Sequence, residues 1–223
     1  MSEWLGATER YRIEKAGMAH LVYPEGSVVP TGDYRALVGV AAPADGAMGF
    51  AALCLYEPKR GRVYVAEEEE FDVAAPVVRE RRVEAYPALA PLMNRWLHDY
   101  YCAAYWLAEP YYRLELEGLG ALTFLPELLP ARWPNEAEGL MFLTCLGAAG
   151  DLVARAGGRL EQAMTQHEAD GTLEAPLKAM LAAGWGLRLL REEARATREG
   201  AAARAQALLA AQYGQGRGAA GCW

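Results

Sequence analysis

Short apolar runs separated by turn residues fill the first seventy positions, and longer stretches with helical spacing follow. Residues 10–15 (RYRIEK) and 18–23 (MAHLVY) flank a tight turn at Ala16 and Gly17, and the pair reads as a hairpin. Tyr34 to Ala41 (YRALVGVA) is a further strand. Met48 to Glu57 (MGFAALCLYE) and Arg62 to Glu67 (RVYVAE) form a second hairpin through Pro58, Lys59, Arg60 and Gly61, where proline suits a type I turn and glycine the left-handed residue after it. The run 48–57 is apolar at almost every position, which predicts a central strand buried on both faces. Its partner ends in four glutamates, Glu67 to Glu70, so the sheet must reach water there. Successive strand residues point to opposite faces, so these acids do not form a converging metal cage, and Arg79 to Arg82 (RERR) are expected to pair with them.

Between about Tyr86 and Ala108 the pattern predicts a helix, with Pro87 in its first turn and Pro110 beyond its end. Leu89, Met93, Trp96, Tyr100, Ala103 and Leu107 fall on one stripe, the core face, while Asn94, His98, Tyr101, Cys102 and Tyr105 lie opposite. A hairpin over 111–117 and 121–125 follows. Asn135, with Glu138 three later, makes a capping box that opens a helix through about His167. Asp170 and Gly171 break it, and Thr172 caps a last long helix in which Leu173, Leu177, Met180, Gly184 and Leu187 recur at intervals of three and four. Gly184 and Gly186 suit a kink or a close helix crossing.

The elements add up to an α+β protein: a mostly antiparallel sheet of hairpins packed against a central aromatic-rich helix and C-terminal helices. Residues 1–213 are expected to form a single domain, sheet-rich over 1–134 and helical over 135–213, with a flexible Gly-rich tail over 214–223 ending in Trp223.

Composition narrows the function classes. The net charge of −7 argues against nucleic acid as the main direct ligand, because that affinity rests on clustered Lys and Arg. The positive charge is uneven, with Arg188, Arg191, Arg195, Arg198 and Arg204 set among only three glutamates. Four widely spaced cysteines give neither a zinc pattern nor a disulfide framework. The charged first residues lack a signal core, and no apolar run is long enough to span a bilayer, so the expected setting is cytoplasmic. No dinucleotide fingerprint, phosphate loop, nucleophile elbow or metalloprotease motif is present, and no cofactor or metal is expected.

These features predict a non-catalytic protein-binding protein, such as an adaptor, dedicated chaperone, inhibitor or accessory subunit. Its contacts with another protein would run through Tyr101, Cys102, Tyr105, Arg191, Arg195, Arg198 and Trp223. Two alternatives stand beside it. One is an enzyme or small-ligand binder with His98, Asp99 and Cys102 at its site, where His98 and Cys102 share a helical face at i and i+4. The other is a nucleoprotein subunit using the Arg-rich helix.

Overall fold

The computed structural model describes residues 11–16, 19–24, 26–27, 34–41, 48–72, 77–79, 82–84, 92, 95–96, 99, 104–107 and 128–215. For residues 15, 16, 19, 20, 24, 77–79, 82–84, 104–107, 128–130 and 204–215 it describes the backbone alone. Residues Met1–Leu187 form one compact unit and Arg188–Trp223 a second.

The first unit is α+β. Strands β1 (Tyr11–Ala16) and β2 (Ala19–Pro24) pair as the expected hairpin. Among the described residues the main sheet has six strands, in the order β10, β5, β4, β3, β8, β9. These are β3 (Arg35–Ala41), β4 (Gly49–Glu57), β5 (Arg62–Phe71), β8 (Ala104–Leu107), β9 (Leu128–Pro130) and β10 (Leu152–Val153). A separate short hairpin joins β6 (Val77–Arg79) to β7 (Arg82–Glu84). β4 runs antiparallel to β3 and β5, whereas β8 is parallel to β3, β9 to β8 and β10 to β5. Five strands therefore end at one edge of the sheet, and β4 alone runs the other way.

β4 is buried at all nine positions, as its unbroken apolar run requires. One face of the sheet carries Val38, Leu53, Leu55 and Tyr64, packed with Val22 of the N-terminal hairpin and with Leu92 and Trp96. On the opposite face, Gly39 lies so close to the helix above it that an added Cβ would overlap the Ala179 carbonyl oxygen. Glycine is needed here for backbone approach. The β4–β5 hairpin closes as the sequence predicts, with the Gly61 amide donating to the Glu57 carbonyl at 2.8 Å and Gly61 at φ 74°. The pairing shifts register between Leu53 and Cys54, so that Glu67 stands opposite Leu53, Glu68 opposite Ala52, Glu69 opposite Ala51 and Glu70 opposite Phe50.

Three helices follow: α1 (Glu136–Ala148), α2 (Arg159–Asp170) and α3 (Ala175–Gln215). The capping box is present, with the Glu138 amide donating to Asn135 Oδ1 at 2.9 Å. Trp133 lies between α1 and the first turns of α3, donating its indole N–H to the Leu181 carbonyl at 2.8 Å, with ring centroids 5.4 Å from Phe142 and 5.3 Å from Trp185. Gly139 and Gly184 leave room for this crossing, since a Cβ on Gly139 would stand 2.9 Å from Leu181 and one on Gly184 would stand 3.1 Å from Leu143.

Two expectations about elements are corrected. The single helix over 86–108 is not what forms: Leu92, Arg95, Trp96 and Asp99 are helical, but Ala104–Leu107 is extended and pairs with β3. A strand buried in a parallel pairing is apolar at every position, as a buried helix segment is, so four residues of strand fit unnoticed inside a helical stripe. The helix expected from Asn135 to His167 is two helices, parted by the turn at Gly150 (φ 69°), β10, and the turn at Gly157 (φ 74°). These glycines take left-handed backbone, which ends the helical path on each side of β10. The hairpin expected over 111–125 lies outside the described residues.

Candidate functional site at the carboxyl edge of the sheet

The chain travels from β3 outward through β4 and β5, then returns to the far side of β3 to lay down β8 and β9. The carboxyl ends of β3 and β8 therefore flank the point where the order of strands reverses, the place where open sheets with parallel strands form a crevice. Residues 42–47 and 108–127, which leave these ends, lie outside the described residues. In sequence they contribute Asp45 just after β3 and Glu109 just after β8.

The described part of this edge is a row of carboxylates on β5, each engaged in a way that follows from strand alternation. Glu68 and Glu70 face one side of the sheet, and Glu67 and Glu69 the other. Glu68 accepts hydrogen bonds from the Leu160 amide at 2.7 Å and the Arg159 amide at 3.2 Å, and so supplies the N-terminal cap that Gly158 cannot. Burial raises its pKa, while the two amides and the charges of Arg155 and Arg159 oppose that rise. Glu70 pairs with Arg159 at 3.0 Å, and Glu69 pairs with Arg95 across the other face. Arg95 and Arg159 are thus arginines that meet the acidic run among the described residues. The side chains of Arg79 to Arg82 lie outside the described residues. Among the described residues no group of three or more His, Cys, Asp or Glu side chains is arranged to hold a metal ion, so the β5 acids alone do not fit one. Asp72, just beyond β5, is exposed.

At the opposite end of the sheet two buried polar atoms have no hydrogen-bond partner among the described residues: Glu57 Oε2 and the Tyr64 hydroxyl. Tyr64 is ringed edge-on by Tyr11 and Tyr34, with centroids at 5.5 and 5.8 Å. Glu57 approaches Arg60 at 3.7 Å, and burial raises its pKa against the nearby positive charges.

The residues singled out from sequence are described only in part. His98, Tyr101, Cys102 and Trp223 lie outside the described residues. Asp99 is helical and half-buried, and Tyr105 stands on β8 opposite Val38. Arg191, Arg195 and Arg198 lie on the stretch of α3 in the second unit. Of the other thiols, Cys54 is buried 3.8 Å from Met180 Sδ and Cys145 is exposed; burial, reinforced by the Glu68 charge, pushes the Cys54 thiol pKa up, which fits a packing residue. Sequence reasoning missed the carboxyl edge because its position depends on which strands run parallel.

The fold is similar to that of a solved structure. The crystal structure of the large terminase nuclease from the thermophilic phage G20c is similar with a TM-score of 0.50 at 10% identity, covering 83% of this chain and 98% of that one. The same nuclease with bound zinc is similar with a TM-score of 0.43 at 10% identity, covering 82% and 92%. No family model matches the chain, and no curated protein matches it. The shared fold overturns the expectation of a non-catalytic protein-binding accessory protein. That expectation rested on acidity, missing catalytic motifs, aromatic richness and a tail ending in Trp223, and none of these reports how strands are ordered in a sheet. No helix among the described residues is long and apolar enough to cross a membrane.

Proposed function

We propose that this chain is a nuclease that acts on nucleic acid at the carboxyl edge of the sheet. The observation that carries the reading is the similarity of its fold, over 98% of the compared chain, to a phage terminase nuclease. The position of Asp45 and Glu109, just past the two strand ends that flank the reversal point, supports a role for their carboxylates in phosphodiester cleavage. A net charge of −7 is compatible with this, because it averages the whole surface and a hydrolytic centre is itself acidic. Work on nucleic acid also suits a cytoplasmic setting, which the free thiols Cys54 and Cys145 support.

The test is cleavage of supercoiled plasmid and labelled linear duplex by the full chain in Mg²⁺, Mn²⁺ or Zn²⁺, with EDTA as control. Cutting should co-elute with the protein through size exclusion, and should fall by at least about 100-fold in Asp45→Asn and Glu109→Gln with the melting temperature unchanged. Plasmid left intact in every metal at molar excess of protein would overturn the reading. Full activity in both variants would move the chemistry to other residues.

A further inference from the structure

The second unit begins with a helical stretch that the proposed chemistry does not use. Arg188, Arg191, Arg195 and Arg198 follow one another at intervals of three, four and three residues. At helical pitch this places all four within about 80° of arc over about 15 Å of axis. Glu192 and Glu199 stand at the rim of that arc, touching Arg188 Nε at 3.0 Å and Arg195 Nε at 2.8 Å. Both pairs are exposed, with Arg195 and Glu199 at 82% and 65%, and exposed pairs of this kind hold their partners weakly. Residues 188–203 contain no aromatic side chain, and Ala196, Thr197, Gly200 and Ala201 to Ala203 are exposed. A protein partner finds no anchoring ring here, and Glu193, the third glutamate of the stretch, falls outside the arc at helical pitch, so the arc itself presents guanidinium charge.

We propose that this arginine arc is a track for the phosphate backbone of a duplex nucleic-acid substrate. About 15 Å of duplex axis presents on the order of nine phosphate charges, and planar guanidinium groups match phosphate oxygens in a bidentate way. The match is one of charge and spacing along the helix, without base contacts, so the contact is independent of sequence. The inference rests on the nuclease reading and adds to it where the substrate is held.

The experiment measures binding of the full chain to a labelled DNA duplex of random sequence by fluorescence anisotropy between low and moderate salt. The double variant Arg195→Gln with Arg198→Gln should weaken binding roughly tenfold and flatten the plot of log affinity against log salt by about two units of slope. Glu192→Gln with Glu199→Gln should strengthen binding, and circular dichroism should show unchanged helix content in both. An unchanged slope in the arginine variant, while the wild-type chain still binds and cuts, overturns this inference alone. If the arginine variant keeps its slope and instead loses a protein that co-purifies with the wild type, the arc belongs to a protein interface. Failure of the wild-type chain to bind or cut DNA at all overturns both this inference and the nuclease reading.

Discussion

Gly39 has no room for a side chain: a methyl group there would overlap the Ala179 carbonyl oxygen and crowd the Ala183 backbone. Neither neighbour can rotate away, because both belong to a helix backbone pressed on the central strand. Gly39→Ala should therefore cost about 3 kcal/mol or more, seen as a fall of roughly 6–12 °C in melting temperature for a chain of this size. Glu57 poses a different residue-scale problem. Its carboxyl group is buried with one oxygen unpartnered, and burial holds the pKa above that of an unfolded glutamate despite Arg60, Arg62 and Lys59. The folded state thus binds this proton more tightly than the unfolded state, and stability is lost as pH rises from the ordinary glutamate range through the raised value. Thermal melts across pH 4 to 8 should show Glu57→Gln more stable than wild type at neutral pH, with the gap closing towards acid. A gap that widens towards acid would mean that Glu57 gains more from its arginines than it loses by burial.

At the scale of elements, local signals were legible where a few adjacent residues decide the outcome. Asn135 caps α1 through the Glu138 amide, and Asn135→Ala should cost about 1 kcal/mol, measurable by denaturant titration at unchanged slope. Pro58 to Gly61 closes its hairpin, and the unbroken apolar run of β4 lies at the centre of the sheet, as read from sequence. Where the outcome depends on a distant partner, the reading failed. Ala104 to Leu107 carries a helical stripe on paper and becomes a strand because β3 offers a free edge for parallel pairing. Leu152 and Val153 form β10 for the same reason, against β5. The candidate site was illegible on this account too: Glu68, Glu69 and Glu70 were seen as a solvated strand end, but their partners at the α2 N-terminus and Arg95 come from 26 to 92 residues away.

For the whole molecule, the central strands of the first unit are buried between two layers, whereas nearly every residue over 192–203 of the second unit is exposed. Opening of the sheet requires global unfolding, and opening of an exposed helix does not. Hydrogen exchange followed by mass spectrometry should therefore show β3, β4 and the first half of β5 as the slowest amides, and residues 192–203 exchanging faster by orders of magnitude. Equal protection of the two would mean that the second unit is covered in solution.

Local chemistry along the chain determined the α+β class, the early hairpins, the central strand, the α1 cap and the helical character of the C-terminal half. Each of these is set by backbone preference or by burial pattern within a dozen residues. Tertiary structure alone decided that five strands point the same way and that the strand order reverses beside β3. Strand direction is fixed by pairings between distant segments, such as Leu37 with Ala104 and Val63 with Leu152, and no local period along the chain records which segments will meet.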